Sequence, residues 1–111
     1  MISVGDNVFI NFNCTILDAA PVTIGNDVLL GPNVHVYTAT HPTDYAIRAE
    51  GLEYAKPVSI ENNVWVGGSV IICPGVTIGA RSIIGAGSVV TKNIPPDSVA
   101  VGNPCRVIKQ V

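Results

Sequence analysis

Two histidines carry most of the chemical potential of this chain. His41 sits in Tyr37-Thr38-Ala39-Thr40-His41-Pro42, a stretch with no strand or helix periodicity. A neutral imidazole there can take a proton near pH 7. On chemistry alone, a general base and an ordinary loop side chain are equally open. His35 is the middle residue of Val34-His35-Val36, which reads as an exposed or interface position on a strand. Two histidines leave a three-histidine zinc site one ligand short, so no metal is expected. Cys14, Cys73 and Cys105 are odd in number and show no CxxC spacing, which reads as free thiols in a reducing compartment, the cytoplasm. Cys73, in Cys73-Pro74-Gly75, reads as a turn residue and not as a nucleophile. Residues 1–80 hold 7 acids and 2 bases, a net −5, whereas residues 81–111 hold 1 acid and 4 bases (Arg81, Lys92, Arg106, Lys109), a net +3. That positive end suits an anionic group, although lysines and arginines near a terminus are also ordinary solvated residues.

What must position these groups is a repeat. At 111 residues the chain has room for one domain. Aliphatic residues recur every six positions at Val4, Ile10 and Ile16, at Ile24, Leu30 and Val36, and from Ile60 through Val66, Ile72, Ile78 and Ile84 to Val90. Two residues before most of them stands a second small or branched residue, such as Val28, Val64 or Val70, so both side chains share one strand face. Between these short strands lie Gly5-Asp6-Asn7, Gly31-Pro32-Asn33, Gly67-Gly68-Ser69 and similar triplets, rich in residues that tolerate positive φ or preset a turn. Three such sides close a triangular coil of about 18 residues, predicting an all-β parallel β-helix of about four coils.

The register breaks twice. Ile16 to Ile24 is a step of eight, with the insertion around Asp18-Ala19-Ala20-Pro21; Val36 to Ile60 is a step of 24, throwing out a loop over residues 38–57. Loops of that length in a compact domain are usually functional or disordered, and one holding five of the chain's 14 Lys, Arg, Asp and Glu residues plus a histidine reads as functional. After Val90 the repeat dissolves, so residues 91–111 are expected to cap the coil. Outward positions include Phe9, Leu29, Trp65, Ile71, Ile83 and Val89, apolar columns that predict packing against other subunits and a cyclic trimer. Charged residues amount to only 13% and no apolar run approaches the ~20 residues of a spanning helix, so neither nucleic acid nor membrane is an expected partner. The N-terminus has no basic region followed by an apolar stretch, and no secretory signal is expected.

Spacing alone leaves the coil's hand open, since ordinary parallel crossovers are right-handed in ~98% of cases. The segments Ile10-Asn11-Phe12-Asn13-Cys14, Thr38-Ala39-Thr40-His41-Pro42, Lys56-Pro57-Val58, Asn62-Asn63-Val64-Trp65-Val66-Gly67, Pro74-Gly75-Val76-Thr77-Ile78-Gly79, Val89-Val90-Thr91-Lys92 and Gly102-Asn103-Pro104 resemble the coil domain of the maltose, galactoside and nodulation sugar O-acetyltransferases, over about nine-tenths of the chain. The resemblance implies a left-handed parallel β-helix and direct transfer of acetyl from acetyl-CoA to an acceptor hydroxyl. His41 matches the family's general base and Asn11 an asparagine that contacts the acceptor and stabilises the transition state, with Asp18 also on the acceptor side. Gly68 matches a backbone N–H placed for the developing oxyanion. Ala86, Thr91, Lys92, Arg106 and Lys109 match family contacts to CoA, and Trp65 lines the pantetheine groove between subunits, where residue type alone equally suits interface packing.

The pattern fails in one place. Relatives carry a mostly helical N-terminal segment that supplies part of the acceptor pocket, and that segment is expected to be missing here; Ala19 stands where some relatives have a second acid beside Asp18. A smaller or shallower acceptor pocket is the expected consequence. Besides O-acetylation of a sugar or similar small molecule, the sequence leaves open N-acetylation by the same base and a truncated, non-catalytic trimeric scaffold.

Overall fold

A computed structural model describes residues 1–111, and in it the hexads stack as a three-sided parallel β-helix. The reason begins at the corners. Asn7, Asn13, Asp27, Asn33, Asn63, Ser69, Arg81 and Asp97 all hold φ between 56° and 63°, with Gly75 and Gly87 in the same role at 81° and 75°. Each immediately precedes the first inward residue of a strand. Asn and Asp visit this region at little cost, which is why the turns draw on them. Arg81 has no such freedom of its own; its guanidinium grips Asp97 one coil further on, Nε donating to Oδ1 at 2.6 Å and Nη2 to Oδ2 at 3.0 Å.

Face one stacks Ile2–Val4, Val22–Ile24, Val58–Ile60 and Thr77–Ile78. Face two stacks Phe9–Ile10, Leu29–Leu30, Trp65–Val66, Ile83–Ile84 and Ser98–Val101. Face three stacks Thr15–Leu17, His35–Tyr37, Ile71–Ile72 and Val89–Val90. Val66 lies against Ile84, eighteen residues on, as the hexad arithmetic requires. Ile10 pairs with Leu30, twenty on, absorbing the insertion near Asp18, and Leu30 pairs with Val66, thirty-six on. The long loop is thus a detour that leaves the register intact. It holds an antiparallel pair, Ala39–Thr40 with Tyr54–Ala55, and a short helix, Tyr45–Ala49, capped by Asp44, whose Oδ1 accepts from the Ala46 and Ile47 amides.

The core is one column of aliphatics, including Ile24, Leu30, Val36, Ile60, Val66, Ile72, Ile78, Ile84 and Val90, with Val22, Val28, Val34, Val58, Val64, Val70 and Val76 beside them. Ser82 and Ser88 take the same inward place and stay satisfied: Ser82 Oγ donates to the Pro95 carbonyl at 2.9 Å and Ser88 Oγ to that of Gly85 at 2.6 Å. Two expectations need amending. Val4 and Ile10 are inward by register yet 49% and 41% exposed, because no coil lies beneath theirs. The stacking also continues past Val90: Ile94 bridges Ile78, and Ser98–Val101 pairs with Ile83–Ile84, so residues 91–101 are a shortened further coil. Only the strand Arg106–Gln110 reverses direction, folding antiparallel onto Ser98–Val101. No helix is long and apolar enough to cross a membrane.

Close stacking makes some glycines obligatory. A Cβ on Gly79 would stand 2.3 Å from the Pro96 backbone nitrogen, so Gly79→Ala is expected to destabilise the chain by about 2–3 kcal/mol, read as a fall in Tm of roughly 10 °C. A second expectation concerns acid. The Arg81 guanidinium holds the Asp97 carboxyl below its usual range, so the pair's stabilisation is present above about pH 4 and is lost as pH falls through the folded value. Asp97→Asn should flatten the acid limb of a Tm-against-pH curve while leaving its alkaline limb in place.

Candidate functional site

The corners of successive coils line up as three edges, and each edge has its own chemistry. On the edge between faces one and two, turn amides are closed off by side chains from the next coil: Asn26 Oδ1 accepts from Asp6 N and Asn62 Oδ1 from Asn26 N, both at 2.8 Å. Glu61 Oε1 accepts from Ala80 N at 3.1 Å. A shallow polar groove of about 380 Å³ lies there, lined by Thr23, Ser59, Glu61 and Asn62, and none of the sequence-predicted functional residues borders it.

On the edge between faces two and three, Asn11, Gly68 and Ala86 stack as turn residues of separate coils. Asn11 Oδ1 accepts from the Phe12 amide at 2.8 Å, and its NH2 group has no partner within the chain. The amides of Gly68 and Ala86 carry no hydrogen bond within the chain, unlike those of Asp6, Asn26 and Ala80 on the first edge. Two free N–H donors on consecutive coils form a place for a partial negative charge. Gly67 is what lets the coils approach here, since a Cβ on it would meet the Ala86 amide nitrogen at 2.6 Å. Beside this edge runs the outward column of face two, Phe9, Leu29, Trp65 and Ile83, with the Trp65 ring 53% exposed.

The edge between faces three and one carries every insertion. Asp18 lies in the first, the loop with His41 in the second, Cys73 in the third coil and Thr91-Lys92 in the fourth. His41 is exposed and its ring makes no hydrogen bond within the chain, whereas Asp18 contacts the Met1 amino group at 2.8 Å. That amino group draws the Asp18 carboxyl below its ordinary range. Lys92 and Arg106, far apart in sequence, line one cavity of about 210 Å³ at the C-terminal end with Asn93, Ile94, Cys105 and Val107. Lys109 is placed elsewhere, opposite Val99 at the upper rim of face two.

The predicted residues therefore fall into two groups, Asn11, Gly68, Ala86 and Trp65 on one side of face three and Asp18, His41, Thr91 and Lys92 on the other. A face of one hexad, at about 3.3 Å per residue, holds the two edges roughly 20 Å apart, well beyond hydrogen-bond reach. Between them, on face three itself, His35 Nδ1 and the Tyr37 hydroxyl are hydrogen bonded at 2.7 Å with their rings edge to face. Sequence reasoning passed over that pair and over Thr38, which is fully buried at the root of the loop. Position 38 is a corner position, where other coils on this edge carry Asp18, Pro74 and Lys92, so the hexad spacing gave no signal of its burial. No group of three or more His, Cys, Asp or Glu side chains is placed to hold a metal ion.

Two family models match: the bacterial transferase hexapeptide (six repeats) over residues 57–92 and the hexapeptide repeat of succinyl-transferase over residues 1–38. The galactoside O-acetyltransferase of Escherichia coli K12 is 53% identical over 110 residues, covering 99% of this chain and 54% of the relative. Among solved structures, a maltose O-acetyltransferase from Clostridium difficile 630 superposes with a TM-score of 0.98 at 59% identity, over 99% of this chain and 59% of that one. A hexapeptide-repeat acetyltransferase from Vibrio cholerae, complexed with acetyl coenzyme A, gives 0.96 at 49% identity, over 98% and 62%. The coil shares their left hand. The chain spans about half the length of the curated relatives it matches.

Cys73 shares the His41 edge but not its chemistry: burial pushes its thiol up, which keeps it protonated at neutral pH. Iodoacetamide at pH 7.5 should therefore modify Cys73 several-fold more slowly than a free cysteine, followed by peptide mass mapping. Rapid modification would mark an activated nucleophile.

Proposed function

The chain belongs to the hexapeptide-repeat acyltransferase family, and from that premise we propose that it is a trimeric, acetyl-CoA-dependent O-acetyltransferase acting on a sugar or a related small hydroxyl compound. The observation that carries this reading is the split of the functional residues between two edges of one prism. If three copies turn face three toward a common axis, the His41 edge of each copy meets the Gly68 edge of the next. A heterologous, closing contact of that kind assembles one complete site per interface. The low charge content and the exposed Phe9, Leu29 and Trp65 column fit a chain whose sides are covered.

In that site a His41 ring nitrogen takes the acceptor hydroxyl proton as the oxygen attacks the thioester carbonyl carbon. The carbon–sulfur bond breaks, and the departing CoA sulfur takes a proton back from the imidazolium. The negative charge developing on the carbonyl oxygen meets the free Gly68 amide, and the Asn11 NH2 group holds the acceptor side. Lys92 and Arg106, converging on one cavity, suit the anionic phosphates, with Lys109 a further cation on the rim of face two and Ala86, Thr91 and Trp65 along the arm of the donor. Asp18 supplies a carboxylate toward the acceptor hydroxyls. The two acyltransferases named above, one of galactosides and one of maltose, support a sugar acceptor.

The test is release of the CoA thiol from acetyl-CoA in the presence of maltose, galactosides and a panel of amines. His41→Ala should lower kcat by about 10²- to 10⁴-fold without changing acetyl-CoA affinity. Lys92→Ala and Arg106→Ala should each weaken CoA binding about 5- to 10-fold in an intact trimer. Binding of acetyl-CoA without turnover on any acceptor would favour a scaffold, and unchanged CoA affinity in both variants would remove the donor assignment.

A further inference from the structure

Thr38 is the buried polar side chain of the His41 edge, and no step above uses it. It is fully buried. Its Oγ1 donates to the Leu17 carbonyl at 2.6 Å and accepts from the Ala20 amide at 3.0 Å. Its own amide donates to the same Leu17 carbonyl at 3.2 Å, and its carbonyl accepts from the Lys56 amide at 2.9 Å. One residue thus ties three strands of chain together: the entry to the loop, its exit at Lys56, and both ends of the four-residue stretch Leu17 to Ala20.

What lies on each side of that knot gives it meaning. Asp18 and Ala19 are held between the two residues that bond the hydroxyl, and His41 stands three residues beyond Thr38 on an exposed loop with no bond to its own ring. The first-coil insertion and the second-coil loop are separate departures from the repeat, and the backbone ladder joins them only at their ends, through Thr38 N to Leu17 O and Val58 N to Pro21 O. Inside the insertion, the Ala20 amide is held by the Thr38 hydroxyl. Face one and face three continue on either side of it, so a shift at Thr38 is transmitted to Asp18 and His41 together.

We propose that Thr38 is a positioning residue that sets the relative placement of the Asp18 corner and the His41 loop, and so the fit of acceptor to base; this rests on the reading of His41 as the general base. The hydroxyl acts only through other residues, so its loss should affect acceptor turnover and not donor binding. Misplacement of a reacting group by about an ångström is enough for a loss of up to 100-fold.

The experiment compares Thr38→Val, which keeps the shape and removes the hydroxyl, with Thr38→Ser, which keeps the hydroxyl and removes the methyl. Hydrogen exchange is measured over residues 17–21 and 38–56, alongside kcat, acceptor KM and the acetyl-CoA dissociation constant with maltose as acceptor. Thr38→Val should accelerate exchange in both segments at once and lower kcat/KM for the acceptor about 10- to 100-fold, with acetyl-CoA affinity within twofold of the wild type. Thr38→Ser should restore both. If the valine chain does not fold, Thr38→Ala replaces it in the same comparison. Unchanged exchange on loss of the hydroxyl, exchange faster in only one segment, or a serine variant as impaired as the valine one would overturn the proposal. If His41→Ala leaves turnover intact, the functional reading falls, while the exchange result still decides whether Thr38 couples the two segments.

Discussion

Everything in this molecule depends on one interaction, the amide hydrogen bond from each coil to the next. It does not stop where the strands stop. At the corners Asp27 N reaches Asp6 O, Asn63 N reaches Asn26 O, and Gly87 N reaches Gly68 O, each at 2.9 Å. Because the ladder runs through turns as well as strands, residues of the inner coils stand in register with residues of the coils above and below. Stacked corners leave no volume for a side chain: a Cβ on Gly31 would stand 2.6 Å from the Gly68 amide nitrogen. The composition of the turns is therefore a consequence of stacking more than of local turn preference. Asparagine serves twice at these positions, adopting the left-handed backbone in one residue and capping a neighbouring coil's amide through the side chain of another.

The same constraint decides where function can reside. A strand cannot gain or lose a residue without turning its inward side chains outward, so insertions are confined to corners. Here both large ones fall on the edge between faces three and one, and closing a longer loop there costs little because loop entropy grows slowly with length. The opposite edge contributes by omission. With small residues at Gly68 and Ala86, no side chain reaches back to close the turn amides, and two donors stay free. One edge thus supplies protruding side chains and the other supplies bare backbone, two components that a transfer reaction uses in different roles.

Most of the fold was legible in the sequence, because a period of six is a direct image of the stacking that produces it. Leu29, Trp65 and Ile83 form one column in the structure as the eighteen-residue arithmetic implies, and Ile71 lies against Val89. The end of the repeat was less legible. Past Val90 the coil shortens, with Ile84 pairing to Ala100 only sixteen residues on, so a strict search for aliphatics every six residues loses a strand that the hydrogen bonds keep. The candidate residues were named by type and motif, but their separation across face three is a property of the closed triangle, invisible until faces are assigned. Thr38 was hidden for a related reason: its partners Leu17 and Ala20 belong to the previous coil, and the insertion there removes the regular spacing that would have paired them.

A three-sided coil of this width cannot bring its own edges together. Its faces are rigid, its core is one side chain deep, and no hinge interrupts the ladder. In the proposed trimer, the site that needs both the protruding His41 and the bare amides is completed from outside the chain, a second copy offering the missing edge. The scarcity of charge follows from the same geometry. In the proposed trimer, side faces that meet neighbours cannot carry unpaired charges without desolvation cost, and the charged groups lie in the two insertions, on the one–two edge and at the C-terminal end, where water or an anionic ligand can reach them. Stacking thus sets the corners, the corners set the edges, and for the proposed reaction the distance between the edges makes assembly a condition of the chemistry.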